Sequence, residues 1–171
     1  MIRKATQADI PAVAAIYARV LEQESQGRTH TGWLPGIYPT ADTAQAALRR
    51  GDLWVYDDGT VRASYILNDL QPDAYTGAPW SVEVPPERVW VMHTLAVDPL
   101  CFGQGIGRAM IDFYESEALS RGRPVLRIDT NATNQRARTI YARLGYREIG
   151  AVPCVFNGIP DVSLVLLEKI R

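Results

Sequence analysis

Three glycines, Gly103, Gly105 and Gly107, alternate along the chain at the point where an apolar strand pattern gives way to a helical one. Asp98 and Pro99 stop the strand, and an amphipathic pattern begins near Arg108. Such a junction is an anion site. Glycine lets backbone approach a ligand closely, and the first N–H groups of a helix have no partner inside it. The helix dipole adds partial positive charge at the same point. The expected ligand is a phosphate or pyrophosphate, held on the backbone N–H groups of Phe102, Gly103, Gln104, Gly105, Ile106, Gly107 and Arg108. The Arg108 side chain can pair with phosphate or stand solvated in the first turn.

Two common phosphate loops do not fit. A Walker A loop ends in Gly-Lys-Ser/Thr, whereas Gly107 is followed by Arg108 and Ala109. The dinucleotide fingerprint needs a glycine five residues after its first. From Gly103 that position is Arg108, and from Gly105 it is Met110.

The spacing of Gly105 and Gly107 instead resembles the acetyl-CoA loop of the GNAT superfamily of N-acetyltransferases, R/Q-x-x-G-x-G/A. Phe102 stands at the leading Arg/Gln position, a departure that leaves the backbone cradle intact. A second segment carries the same likeness. Asn134, Ala137, Tyr141, Gly145 and Tyr146 are similar to the family's N-x-x-A-x-x-x-Y-x-x-x-G-F/Y signature. The resemblance spans about residues 90–150. It implies an acetyl-CoA co-substrate and direct transfer of acetyl to a primary amine; no metal is expected, because two histidines and no paired Cys/His spacing argue against a structural zinc. It also implies that the pantetheine arm runs along Leu95, Ala96 and Val97, with a backbone N–H near Leu95 as oxyanion donor. Tyr141 falls at the family's general-acid tyrosine. A phenol, with an unperturbed pKa of about 10, stays protonated at neutral pH and can donate to a thiolate of pKa about 8.5. Asn134 can cap its helix, hydrogen-bond the co-substrate, or do both.

The acceptor amine must arrive neutral, so a base is needed. His93, with an unperturbed pKa of about 6.5, is the first candidate. Two residues before Leu95, it is expected to share that residue's face of the strand. His30, or Glu83 and Glu87 acting through water, are alternatives. Cys101 and Cys154 have no histidine nearby in sequence and are not expected to be nucleophiles. Two irregular stretches, residues 27–39 and 70–87, are rich in glycine, proline and large aromatics. Trp33, Tyr38, Tyr75 and Trp80, with His30, either wall an acceptor pocket between these stretches or plug the core. The acceptor is expected to be a small amine or amino-acid-like molecule. A protein N-terminus or lysine, and a catalytically silent acetyl-CoA sensor, are the alternatives.

The composition suits this picture. The 171 residues carry 18 basic and 19 acidic side chains, a net charge of −1. Nothing there favours nucleic acid or an anionic membrane. There is no run apolar enough to span a bilayer, no signal-peptide pattern, and two cysteines do not make a disulfide framework. A cytoplasmic setting is the expectation, and the oligomeric state stays open, a homodimer included. One domain over residues 1–171 is expected.

Periodicity and turn residues predict the elements that must position these groups. A short strand over residues 2–5 leads into a helix started by Thr6, Asp9 and Pro11 and ending near Gln26. A second helix runs from Thr40 to Gly51. Strands over 53–56 and 61–68 form a hairpin across Asp57, Asp58 and Gly59. A long apolar strand over 88–97 reads as central and doubly covered. A helix over 105–119, a strand over 125–129, a helix over 134–144 and strands over 146–150 and 162–168 complete the chain. This order is that of the GNAT acyl-CoA N-acyltransferase fold: an α/β mixed sheet of about seven strands, with about four helices on both faces.

Overall fold

The computed structural model describes all 171 residues. Seven strands form one sheet, β1 (Ile2–Lys4), β2 (Leu53–Asp57), β3 (Val61–Asn68), β4 (Val89–Val97), β5 (Val125–Asn131), β6 (Arg147–Phe156) and β7 (Ile159–Ile170), in the spatial order β1-β2-β3-β4-β5-β7-β6. Every pairing is antiparallel except β4 with β5. Four helices, α1 (Ile10–Ser25), α2 (Ala41–Arg50), α3 (Ile106–Ser120) and α4 (Gln135–Arg143), complete the mixed α/β fold.

Local chemistry sets the helix ends. Thr40 caps α2, its hydroxyl accepting from the Thr43 N–H, and Gly51 closes it in the left-handed region at φ 75°. At the start of α1, the Asp9 carboxylate accepts from the Thr6 N–H and from both Nη atoms of Arg3, which ties the helix to β1. The apolar residues of α1 recur every three or four positions, so Val13, Ile16, Tyr17 and Val20 share one buried face.

The two faces of the sheet are covered differently. On one, α1 and α2 pack Val13, Ile16, Ala44 and Ala47 against Leu53, Val55 and Ile66. Farther along that face, residues 69–88 cover Val89, Val91, Val125 and Leu166 with single helical turns and extended chain. On the other face, Met110, Ile111 and Tyr114 of α3 and Tyr141 of α4 pack against Trp54, Tyr65, Trp90, Met92, Leu126 and Ile128. β4 lies at the centre of the strand order, as its apolar run predicts.

The last hairpin exceeds its sequence-based bounds. β6 and β7 pair from Arg147↔Glu168 to Phe156↔Ile159 across a two-residue turn. Asn157 and Gly158 both have positive φ, 53° and 78°. An Asn-Gly pair in this conformation is a preferred hairpin connection. Pro153 is tolerated because β6 is an edge strand. No helix is long and apolar enough to cross a membrane.

Candidate active site

The site begins where the sheet comes apart. β4 and β5 pair over four residues only, from Val89↔Val125 to Met92↔Ile128. Beyond that seam β4 continues along β3 and β5 along β7, leaving a wedge between them. The Tyr114 hydroxyl donates to the Trp90 carbonyl at 2.6 Å, with the Arg127 carbonyl at 3.2 Å, and so holds both strands at the seam. The wedge opens into a cavity of about 1170 Å³, lined by Met92 to Val97 on one side and Ile128 to Asn131 on the other.

A β-bulge re-aims β4 at this point. Ile66 pairs with His93 and Ser64 with Ala96, so two steps along β3 oppose three along β4. Thr94 takes φ 52° to accommodate the extra residue. The alternation of side chains therefore flips. His93 stays on the face of Ile66, whereas Leu95 and Val97 pack with the α3 side. The expected common face for His93 and Leu95 is thus corrected: both line the cavity, from opposite sides of the strand. Thr94 and Leu95 have no partner residue on β3 in the register.

The glycine loop follows. Gly103 and Gly105 have φ 83° and 77°, a region other residues enter only with strain, and a Cβ at either would point into open space. The N–H groups of Gly103, Gly105 and Gly107 donate to nothing among the loop and cap hydrogen bonds. Gly105 is the N-cap of α3. This cradle fits a pyrophosphate, and Phe102, Gly103, Gly105, Ile106, Gly107 and Arg108 all line the cavity. Gln104 does not line it; exposed, it contributes at most its backbone. The Arg108 side chain is held by Asp112 in an exposed i,i+4 pair at 2.8 Å. A cation the sequence did not single out, Arg136 of α4, stacks its guanidinium 4.7 Å from the Phe102 ring at the same mouth.

α4 supplies two further wall residues. Asn134 caps it, Oδ1 accepting from the Ala137 N–H at 3.2 Å, which leaves its amide NH₂ free at the cavity wall. Tyr141 is buried, and its phenolic pKa is pushed well up by burial first and by the charge of Asp129 second. The hydroxyl therefore stays protonated at neutral pH, and it has no hydrogen-bond partner within the chain.

The far end of the cavity is roofed by residues 27–39. Glu24, in the last turns of α1, organises this strap. Its carboxylate accepts from the N–H groups of Thr31 and Gly32 and from the hydroxyls of Thr29 and Thr31. Gly32 comes so near β5 that a Cβ there would lie 2.3 Å from the Asn131 amide nitrogen. The strap is also tied to the bulge by a hydrogen bond between the Tyr38 and Thr94 hydroxyls. His30, Trp33 and Tyr38 line the cavity, Trp33 and Tyr38 meeting edge to face at 6.1 Å. Phe156, Asn157 and Ile159 of the last hairpin form a wall that the expected pocket lacked. The Asn157-Gly158 turn is the sequence signal that could have placed them.

The connection over residues 70–87 enters the cavity only through Leu70, Gln71 and Pro72. Tyr75 and Trp80, expected as pocket walls, lie outside the cavity lining. Tyr75 is 3% exposed beneath the sheet, and Trp80 meets it at 5.0 Å with the rings tilted by 57° and lies 3.9 Å from the guanidinium of Arg127. They cover apolar sheet surface, a task any large aromatic can perform. Glu83 and Glu87 also lie outside the cavity lining.

The two titratable groups deepest in the acceptor end differ in character. His93 Nε2 lies 2.9 Å from Asn68 Oδ1, and Asn68 donates onward to Asp52. Burial first, and the Arg50 guanidinium second, push its pKa down to about 4. The imidazole is neutral and weakly basic, better suited to hydrogen bonding than to taking protons. Asp129, which the sequence did not single out, stands at the first position of β5 beyond the seam. Its Oδ2 accepts from the Tyr75 hydroxyl at 2.8 Å, and burial pushes its pKa up to about 6. In sequence it looks like any strand-ending aspartate.

Residues 19–146 match the profile of the acetyltransferase (GNAT) family. An uncharacterized N-acetyltransferase of Methanocaldococcus jannaschii is 33% identical over 69 residues, 40% of this chain and 30% of that protein. A mycothiol acetyltransferase of Beutenbergia cavernae is 26% identical over 102 residues, 60% of this chain and 33% of that protein. The matches span about a third of the length of these curated relatives. The crystal structure of a GNAT-family acetyltransferase from Streptococcus agalactiae superposes with a TM-score of 0.78 at 22% identity, covering 100% of this chain and 95% of the other. The family profile takes in the seam, the glycine loop and α4, and the chain belongs to the GNAT acetyltransferase family.

Proposed function

We propose that this chain is an acetyl-CoA-dependent N-acetyltransferase whose acceptor is the primary amine of a small, amino-acid-like molecule. The observation that carries this reading is the single cavity running from the glycine loop to the strap over residues 27–39. Its volume of about 1170 Å³ exceeds an ordinary ligand pocket of roughly 300–1,000 Å³, as two reactants require. Its acceptor end is roofed and lined by the aromatic rings of Trp33 and Tyr38 and by basic side chains, Arg28 and Arg50 among them. That lining suits an amine that also carries a carboxylate.

Acetyl-CoA supplies the activated acyl group as a thioester. The chain's own residues then have three tasks. The free N–H groups of the glycine loop hold the pyrophosphate, and the Asn134 amide is available to the arm. Backbone N–H at the Thr94–Leu95 bulge, outside the β3 ladder, is the candidate donor to the carbonyl oxygen as negative charge develops on it. Tyr141 donates its proton to the departing sulfur. The strap keeps bulk water from competing with the amine.

Release of CoA thiol should be followed with amino acids, arylalkylamines and short peptides in turn. Turnover with one or more small amines is the expected outcome. Turnover confined to peptides, or with none of these classes, would overturn the reading.

A further inference from the structure

The cavity contains a carboxylate that protein chemistry alone leaves unexplained. Asp129 forms no ion pair with any lysine or arginine, and its one hydrogen bond is from Tyr75 to Oδ2. Oδ1 accepts from nothing in the chain, and the residue lines the cavity. Even a half-buried carboxylate without a cation is costly, and folding does not require one at this position of β5. Its position accounts for it. Its charge is close enough to raise the phenol pKa values of Tyr141 on α4 and of Tyr38 on the strap. It lines the same cavity as Tyr141, the group assigned to the leaving sulfur, and Tyr38 of the acceptor end.

We infer that Asp129 receives the acceptor's ammonium group and takes its proton, while Tyr75 fixes the carboxylate from behind. The inference rests on the acetyl-transfer reading above. Asp129 Oδ1 accepts one proton from R–NH₃⁺, giving the neutral amine with its lone pair. The C–N bond then forms at the thioester carbon and the C–S bond breaks, its electron pair going to sulfur. The sulfur takes the Tyr141 proton. The second proton lost by the nitrogen restores Tyr141, and the proton on Asp129 leaves to solvent. The sum is R–NH₃⁺ plus acetyl-CoA giving the acetamide, CoA thiol and one proton.

The groups facing Asp129 agree with this role. They are Tyr75 from the 69–88 connection, Tyr38 from the strap, Tyr141 from α4, Cys154 from β6 and, in the same cavity, His93 from β4. All are neutral at pH 7, and although Arg28 and Arg50 also line the cavity, neither pairs with Asp129, so its carboxylate is left open to an incoming ammonium. With its pKa pushed up to about 6, the carboxylate is mostly ionised at pH 7 yet more basic than an ordinary aspartate. His93, at about 4, cannot supply the same acidic limb.

The test combines titration and kinetics. In protein labelled with ¹³C at the aspartate carboxyl, one resonance should titrate near pH 6 and be missing in Asp129→Asn. In Tyr75→Phe it should move to higher pH, because the lost hydrogen bond favoured the charged form. With the best amine of the panel, kcat/KM should rise with pH through the same value. Asp129→Asn should lower it by about 10²–10⁴-fold and remove the limb, with CoA affinity by calorimetry unchanged. Tyr75→Phe should shift the limb upward and keep most of the plateau rate. A loss under about tenfold in Asp129→Asn, a limb that survives it, or no aspartate titrating near 6 would overturn the assignment. Failure of every amine would instead refute the acetyl-transfer reading, and the titration would still judge the carboxylate.

Discussion

Removing Arg127 should expose how the 69–88 connection is fastened to the sheet. Arg127 and Glu168 pair at 3.1 Å with side chains only 6% and 1% exposed. The guanidinium also donates to the Gln71 amide oxygen at 2.5 Å and the Val82 carbonyl at 3.3 Å, and lies 3.9 Å from the Trp80 ring. Glu168 in turn accepts from the Ser81 N–H and hydroxyl. Arg127→Met keeps most of the volume but strands the carboxylate. Breaking one side of a buried pair costs about 3–5 kcal/mol. Ser81 still donates to Glu168, so the lower end, about 3 kcal/mol, is expected. For a chain of this length that corresponds to a fall in Tm of roughly 6–12 °C. Urea unfolding of Arg127→Met, Glu168→Gln and the double variant measures the coupling. The double variant should recover more than half of the loss, since Gln keeps an acceptor for Ser81 without the charge. A loss below about 1 kcal/mol in Arg127→Met, or no recovery in the double variant, would show that the stranded charge is not the source.

Two further outcomes are expected. Gly105→Glu sets a carboxylate at the cradle where the Cβ direction is open, so the protein should fold with a loss of about 1–2 kcal/mol from its positive φ while CoA binding by calorimetry is abolished; binding like the parent's would remove the loop from the site. Tyr141→Phe should lower kcat by about 10²-fold or more with CoA affinity little changed, because its hydroxyl acts only as charge develops on sulfur; an unchanged single-turnover rate would exclude it as the acid.

What could be read in the sequence is what local chemistry determines. The α2 helix begins at its Thr40 cap and ends at Gly51, and β3 spans residues 61–68, as propensity and turn residues require. The glycine loop is legible because positive φ and backbone access need glycine. The cap at Asn134 follows from one side chain. Elsewhere the deciding contacts are distant in sequence. Nothing near Thr94 announces an extra residue, since the bulge exists only relative to β3, so simple alternation puts His93 on the wrong side of the strand relative to Leu95. Tyr75 and Trp80 have the composition of a pocket wall and of a core plug alike, and only the buried surface of Val89 and Val125 decides between them. Asp129 gains its chemistry from the parting of β4 and β5, which no window around residue 129 contains.

That parting has a metrical consequence. The sheet is two blocks, β1 to β4 on one side and β5, β7 and β6 on the other, joined by four residue pairs. The glycine loop and the bulge belong to the first block. Asp129 and Tyr141 belong to the second. Lengthening the seam by one pair would move the fork by one strand rise, about 3.3 Å. Reacting groups lose about a hundredfold in rate when misplaced by about 1 Å. The seam thus works as a ruler: four residue pairs, all but Arg127 apolar, set the distance across which the two halves of the chemistry meet.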